Sequence, residues 1–214
     1  MDTHFLRHGP RVAATLRKRL WQGGIALALF LGTLLVGNFF IRPERAVGAK
    51  MIGHDFLAFY SAGTFARRGE FEKLYDLDAV QRFEHQTAAG AGLEIGSSFG
   101  PYWNPPFYAW VFAPISALPY QRAWILWELI NFTALAGAIV LLARMLPKND
   151  WRTWGLVPLA IIASMPFIQA ATHAQNTFTS LLILSAAVTF WRQRRAMLAG
   201  AVCGLLFYKP QLAA

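Results

Sequence analysis

Asp55, in the run His54-Asp55-Phe56, is the first residue whose surroundings suggest chemistry. A carboxylate held just ahead of an apolar, helix-patterned stretch could take a proton from a hydroxyl. Asp is also a preferred helix N-cap, so the same residue can be read as opening a helix at Phe56. A second polar set comes much later: His173, Gln175 and Asn176 between two apolar runs, and Lys209 after a third. Cationic and amide donors of this kind suit a phosphate leaving group as negative charge develops on it. Lys209 equally fits an interfacial anchor with a snorkelling stem, Gln175-Asn176 a polar cap joining two helices, and His173 a plain loop residue. Glu128 and Asn131 lie within a long apolar run, where an ionisable group is expensive enough to suggest function; Glu128 could instead pair with Arg122 or a loop cation. Tyr60 belongs to an aromatic face with Phe56, Phe59 and Phe65, while Tyr102 and Trp103 could stack on a sugar or lie in an interfacial aromatic belt. The histidines lack metal-ligand spacing and no CxxC or DxD pair occurs, so neither a metal nor a cofactor is expected. Gly-rich nucleotide cradles are absent as well. Cys203, the sole cysteine, lies in an apolar run and reads as packing.

The elements that must position these residues are membrane helices. Apolar residues make up 56% of the 214 and charged ones 14%, outside the range of an ordinary soluble domain. The net charge of +9 comes from short basic clusters flanking apolar runs, a topological pattern rather than a nucleic-acid face. We expect an all-α, polytopic membrane domain: a basic cytoplasmic tail over 1–21, a first span over 22–41, an extracytoplasmic loop over 42–106, then further spans over 107–214. The run from Ile25 to Ile41 is too long for a signal-peptide core and no small-residue cleavage site follows it, so the span is retained. The loop holds seven Lys or Arg and eight Asp or Glu, most of the acids in the chain, which marks it as aqueous. Within it, Phe56 to Arg68 and Asp78 to Thr87 read as amphipathic helices on the membrane surface, the first ending at Gly69. Ser97 to Pro106, SSFGPYWNPP, reads as a turn-rich strap.

Later apolar runs cover Phe107–Leu118, Ala123–Ala143, Trp154–Ala170, Thr177–Phe190 and Met197–Tyr208. A span needs roughly 20 apolar residues, so the first of these, with Pro114 inside it, is the poorest candidate. If it crossed, Lys148/Arg152 and the Arg192, Arg194, Arg195 cluster would both lie outside, against the positive-inside bias. We therefore expect 107–118 to be re-entrant or half-inserted. That topology puts His173, Gln175, Asn176 and Lys209 on the same side as Asp55.

The order Asp55-Phe56-x-x-Phe59-Tyr60-x-Ala62-Gly63, Leu74-Tyr75-Asp76, Tyr102-x-x-Pro105-Pro106-Phe107, Gln175-Asn176, Ala199-Gly200 and Lys209-Pro210 resembles glycosyltransferase family 87. The resemblance implies a C-type glycosyltransferase fold in a bacterial cytoplasmic membrane, with the active site facing the extracytoplasmic side. It implies inverting transfer of a sugar, with mannose the candidate, from a polyprenyl-phosphate donor to a lipid or glycan hydroxyl. Asp55 would be the base; Tyr60, Tyr102, Glu128, His173, Gln175, Asn176 and Lys209 are the candidate substrate contacts. Two departures stand out: the family's Gly-Gln pair is Ala174-Gln175 here, and family members run considerably longer, so we expect an N-terminal fragment. The rival expectations are a transporter or lipid flippase using Glu128 and Asn131, and a non-catalytic membrane scaffold. No nucleic-acid partner is expected.

Overall fold

The computed structural model describes residues 4–40, 53–146 and 151–209, with side chains over 14–37, 53–146 and 153–209. The start of the expected outer loop, the Lys148 connection and Pro210 lie outside the described residues.

Every regular element among the described residues is helical. The first helix, α1 (His4–Phe40), runs back through the basic tail, and its Ala14–Gly37 portion is long and apolar enough to cross a bilayer. A helix is the natural state there because it satisfies every backbone group without water. Next, α2 (His54–Arg68) starts at Gly53 and stops where Gly69 turns left-handed, φ 75°, donating to Ala66 O while Glu70 N–H reaches Phe65 O. Two carbonyls at the helix end are thereby satisfied. A short 3-10 turn, Phe71–Lys73, leads to α3 (Leu77–Gly90), which is capped by Asp76 accepting from the Asp78 and Ala79 amides at 3.1 Å. No helix forms between 92 and 105, which takes in all of the expected Ser97–Pro106 strap except Pro106, the first residue of the next 3-10 turn.

The run after the strap is broken into pieces too short to span: a 3-10 turn at Pro106–Tyr108, the four-residue α4 (Ala109–Phe112) and another turn at Ile115–Ala117, with Pro114 between them. By contrast α5 (Tyr120–Ala143) has 24 residues, about 36 Å at the helical rise, and is apolar enough to cross a bilayer in spite of Arg122, Glu128 and Asn131. The expected continuous Trp154–Ala170 helix is instead two, α6 (Trp151–Ile162) and α7 (Met165–His173), meeting at 55°. Ser164 causes the break by capping α7, its hydroxyl accepting from Phe167 N–H at 3.3 Å. Pro166 adds to it, having no amide to donate to an unbroken helix. The remaining helices, α8 (Thr177–Arg192) and α9 (Ala196–Gly204) with a final turn at Leu205–Tyr208, form a hairpin, and α8 packs on α5. Among the described residues two helices are long and apolar enough to cross a membrane, or three if the bent pair counts as one span.

The core gathers around α2 rather than around the long helices. Phe56 and Leu57 are fully buried, and Phe59 stacks on Phe112 with ring centroids 4.7 Å apart. Such ring pairs add about 0.5–1.5 kcal/mol beyond the area they bury. Instead of lying on a surface with one wet face, α2 is enclosed by α3, α4, α5 and α7. Gly63 makes this possible: a Cβ there would sit 2.6 Å from the Phe112 carbonyl carbon and oxygen, so the two backbones could not meet.

Candidate active site

Asp55 is the second residue of α2, and Gly53, not Asp55, occupies the N-cap position. Released from capping, its carboxylate turns toward the corner between α7 and α8. Gln175 Nε2 donates to Asp55 Oδ2 at 2.5 Å, and His173 Nδ1 lies 3.6 Å from the same oxygen. Thr177 Oγ1 donates to Gln175 Oε1 at 3.3 Å, which leaves the amide nitrogen to face the carboxylate. Backbone holds the same pieces together, because Gly53 N–H donates to Thr172 O at 2.7 Å.

The corner is built tightly. Ala174 closes α7 in the left-handed region at φ 55°, where glycine is usual, and Trp127 Nε1 from α5 donates to its carbonyl at 2.7 Å. Its side chain is fully buried in the core, so the methyl contributes about 0.8 kcal/mol by the usual burial rule. That offsets much of the roughly 1–2 kcal/mol of left-handed strain. Asn176 stands at the N-cap of α8 without capping it; its Nδ2 donates to the Tyr108 hydroxyl at 3.1 Å. Tyr108 stacks on Tyr208 at 4.3 Å, and the Tyr208 hydroxyl meets Ser180 Oγ at 2.8 Å. Lys209 follows directly.

A cavity of about 570 Å³ opens in front of this arrangement, within the range that takes small ligands. Asp55, Gln175, Asn176 and Lys209 all line it, together with Tyr102 and Trp103 of the strap. Tyr102 is buried, with its hydroxyl donating to Pro105 O at 3.2 Å, whereas Trp103 is 81% exposed. His173 sits behind Asp55. Two candidates are placed away from the cavity: the Tyr60 hydroxyl donates to Leu118 O at 2.9 Å, and Glu128 lies within α5, both its oxygens without a hydrogen-bond partner among the described residues.

Charge within the cavity is divided. Burial raises the Asp55 carboxyl, but hydrogen bonds from His173 and Gln175, aided by the positive potential of His173 and His54, outweigh it and hold the group below its ordinary 3.8. Asp55 is therefore an ionised acceptor at neutral pH. Burial lowers the Lys209 ammonium and the negative Asp55 partly restores it. The arrangement can take a proton at Asp55 and hold an anion at Lys209.

Sequence reasoning missed three contributors. Asn104 Nδ2 donates to Tyr208 O at 2.9 Å, tying the strap to the turn that carries Lys209, and Tyr75 OH donates to Asn104 O at 2.8 Å. Glu84 of α3 is fully buried and accepts from Gly100 N–H at 2.7 Å. The third, Tyr208, was visible only as the end of an apolar run.

The model of one protein family, Glycosyltransferase family 87, matches residues 102–214, more than half of the chain. The match takes in Tyr102, the 173–176 corner and Lys209, and begins after Asp55 and Glu84. No curated protein and no solved structure matches.

Proposed function

The chain belongs to glycosyltransferase family 87, and from that premise we propose that its cavity transfers a sugar from a polyprenyl-phosphate donor to a hydroxyl of a lipid or glycan acceptor. The observation that carries this reading is the meeting of Asp55, near the start of the described loop, with Gln175, Asn176 and Lys209 around one cavity.

Asp55 Oδ takes the proton of the acceptor hydroxyl while that oxygen bonds to the anomeric carbon. The bond from that carbon to the phosphate oxygen breaks, its electron pair leaving with the polyprenyl phosphate. Lys209 faces the negative charge that develops there, and a cation fixed at a partly buried position acts more strongly than one in bulk solvent. Attack and departure on opposite sides of the sugar ring invert the anomeric centre. Asp55 is held by two partners and so keeps its direction as the proton moves. The extracytoplasmic face is favoured by the basic tail, the Lys148/Arg152 connection and the Arg192, Arg194, Arg195 cluster, which fall on the opposite side when 107–118 does not cross. Mannose is the candidate sugar because the resemblance implies it.

The test is transfer of labelled mannose from synthetic polyprenyl-phosphate mannose by the purified protein in lipid nanodiscs. Asp55→Asn is expected to lower the rate by about 10²–10⁴-fold, the usual range for a general base. An unchanged rate removes Asp55 from that role. Transfer from a nucleotide sugar but from no lipid-linked one overturns the donor.

A further inference from the structure

We propose that Glu84 is a positioning residue: through the Gly100 amide it clamps the 97–104 strap onto the turn of α2 that carries Asp55, and so sets how tightly the cavity holds its substrate. The inference rests on the glycosyl-transfer reading for the identity of that substrate, but not for the clamp itself.

A carboxyl is a poor choice for a fully buried position unless something there needs it. Glu84 is 0% exposed, and a leucine would fill the same space without the cost of enclosing a polar group. One of its oxygens is occupied, since Oε2 accepts Gly100 N–H at 2.7 Å. The other, Oε1, has no hydrogen-bond partner among the described residues. Burial, with the nearby Asp55 charge adding to it and the Gly100 amide opposing, pushes the Glu84 carboxyl up to about 8. The group is thus neutral under ordinary conditions, and it serves as an acceptor rather than as a charge.

Gly100 is held from its other side as well. A Cβ at Gly100 would lie 3.4 Å from the His54 ring and 3.5 Å from Ala58 Cβ. His54 immediately precedes Asp55 and Ala58 lies about one turn beyond it, so the strap is gripped between α3 and the catalytic turn of α2. Its far end is tied by Asn104 to the Tyr208 carbonyl, next to Lys209. The strap therefore runs from the turn that carries Asp55 to the turn that carries Lys209, and Glu84 anchors it at the first of these. Glu84 itself does not line the cavity, which separates positioning from contact.

Two variants test the clamp. Glu84→Gln keeps a carbonyl acceptor of the same reach, whereas Glu84→Met fills the volume without an effective one. With polyprenyl-phosphate mannose as substrate, Glu84→Met is expected to raise KM about tenfold or more with kcat changed less than about threefold, and Glu84→Gln to keep both within about twofold. The proposal is overturned if Glu84→Met leaves KM unchanged, if kcat alone falls, or if Glu84→Gln fails as badly as Glu84→Met. Where Glu84→Met does not fold, or no lipid-linked sugar is transferred at all, hydrogen exchange at the Gly100 amide decides. Slow exchange in both the unaltered chain and Glu84→Gln upholds the clamp independently of any activity, and exchange as fast as in an open loop ends it.

Discussion

Gln175 bears on the Asp55 carboxylate twice, directing it and setting its proton affinity. Because the folded carboxyl is held below its ordinary value, its ionised form contributes stability that is present above the unfolded pKa and is lost as pH falls through the folded one. The acid limb of kcat/KM, which follows the free enzyme, is expected below the ordinary carboxylate range. Gln175→Leu deletes one of the bonds that outweigh burial, so the limb moves to higher pH; a pH profile with an unmoved limb contradicts that account. Asp55 was legible as an acid beside a helix start, yet its capping role was misread, because Gly53 takes the N-cap and places the acid one step inside the helix. Glu84 was not legible at all. In Glu84-His85-Gln86 three polar residues follow one another, and only the packing of α3 decides which one faces inward. Tyr60 and Glu128 are the converse: chemically suggestive types that the fold turns away from the cavity, one of them tied to the Leu118 carbonyl.

At the scale of elements, α2 is what the rest is built around, and its close approach to α4 is its most exacting contact. Gly63→Ala would press a methyl into the Phe112 backbone, which cannot yield as a side-chain tip can. We expect a loss of about 1–3 kcal/mol, as for other overpacked cores, read as a lower midpoint in thermal unfolding of the detergent-solubilised protein. An unchanged midpoint would mean that the two helices separate freely. The sequence offered α2 as a surface helix with one aromatic face, Phe56, Phe59, Tyr60 and Phe65, yet Ser61 and Thr64 are buried as well. Their hydroxyls donate back to the Leu57 and Tyr60 carbonyls at 2.8 and 2.9 Å, which lets polar residue types sit in a dry interior. The α6/α7 break had its signals in Ser164 and Pro166, but a reading by hydropathy alone passes over both. The strap and the shortness of the pieces around Pro114 were legible, since turn residues and a proline interrupt any helical pattern there.

For the whole molecule, the apolar character of the later helices was legible from run lengths but the split of Trp154–Ala170 into two was not, whereas the gathering of Asp55, the 173–176 corner and Lys209 was legible only through the resemblance and the basic clusters. Their arrangement makes a prediction about sides. α8 leaves the cavity at Asn176 and ends at Arg192, about 24 Å away for its 16 residues. In a Cys203→Ala background, Trp103→Cys and Gln193→Cys are expected to react with an impermeant maleimide from opposite faces of sealed vesicles. Reaction of both from one face would undo the sided arrangement. The hydrogen bond between Asp55 and Gln175 joins positions 120 residues apart in the chain. At ribosomal speeds of about 5–20 residues per second, the acid emerges about 6–24 s before its partner has been made. Throughout that interval the newborn α2 has neither its corner nor its ceiling, so the proposed site cannot assemble until α7 and α8 have been made, and anything that delays insertion of those helices delays the site by the same amount.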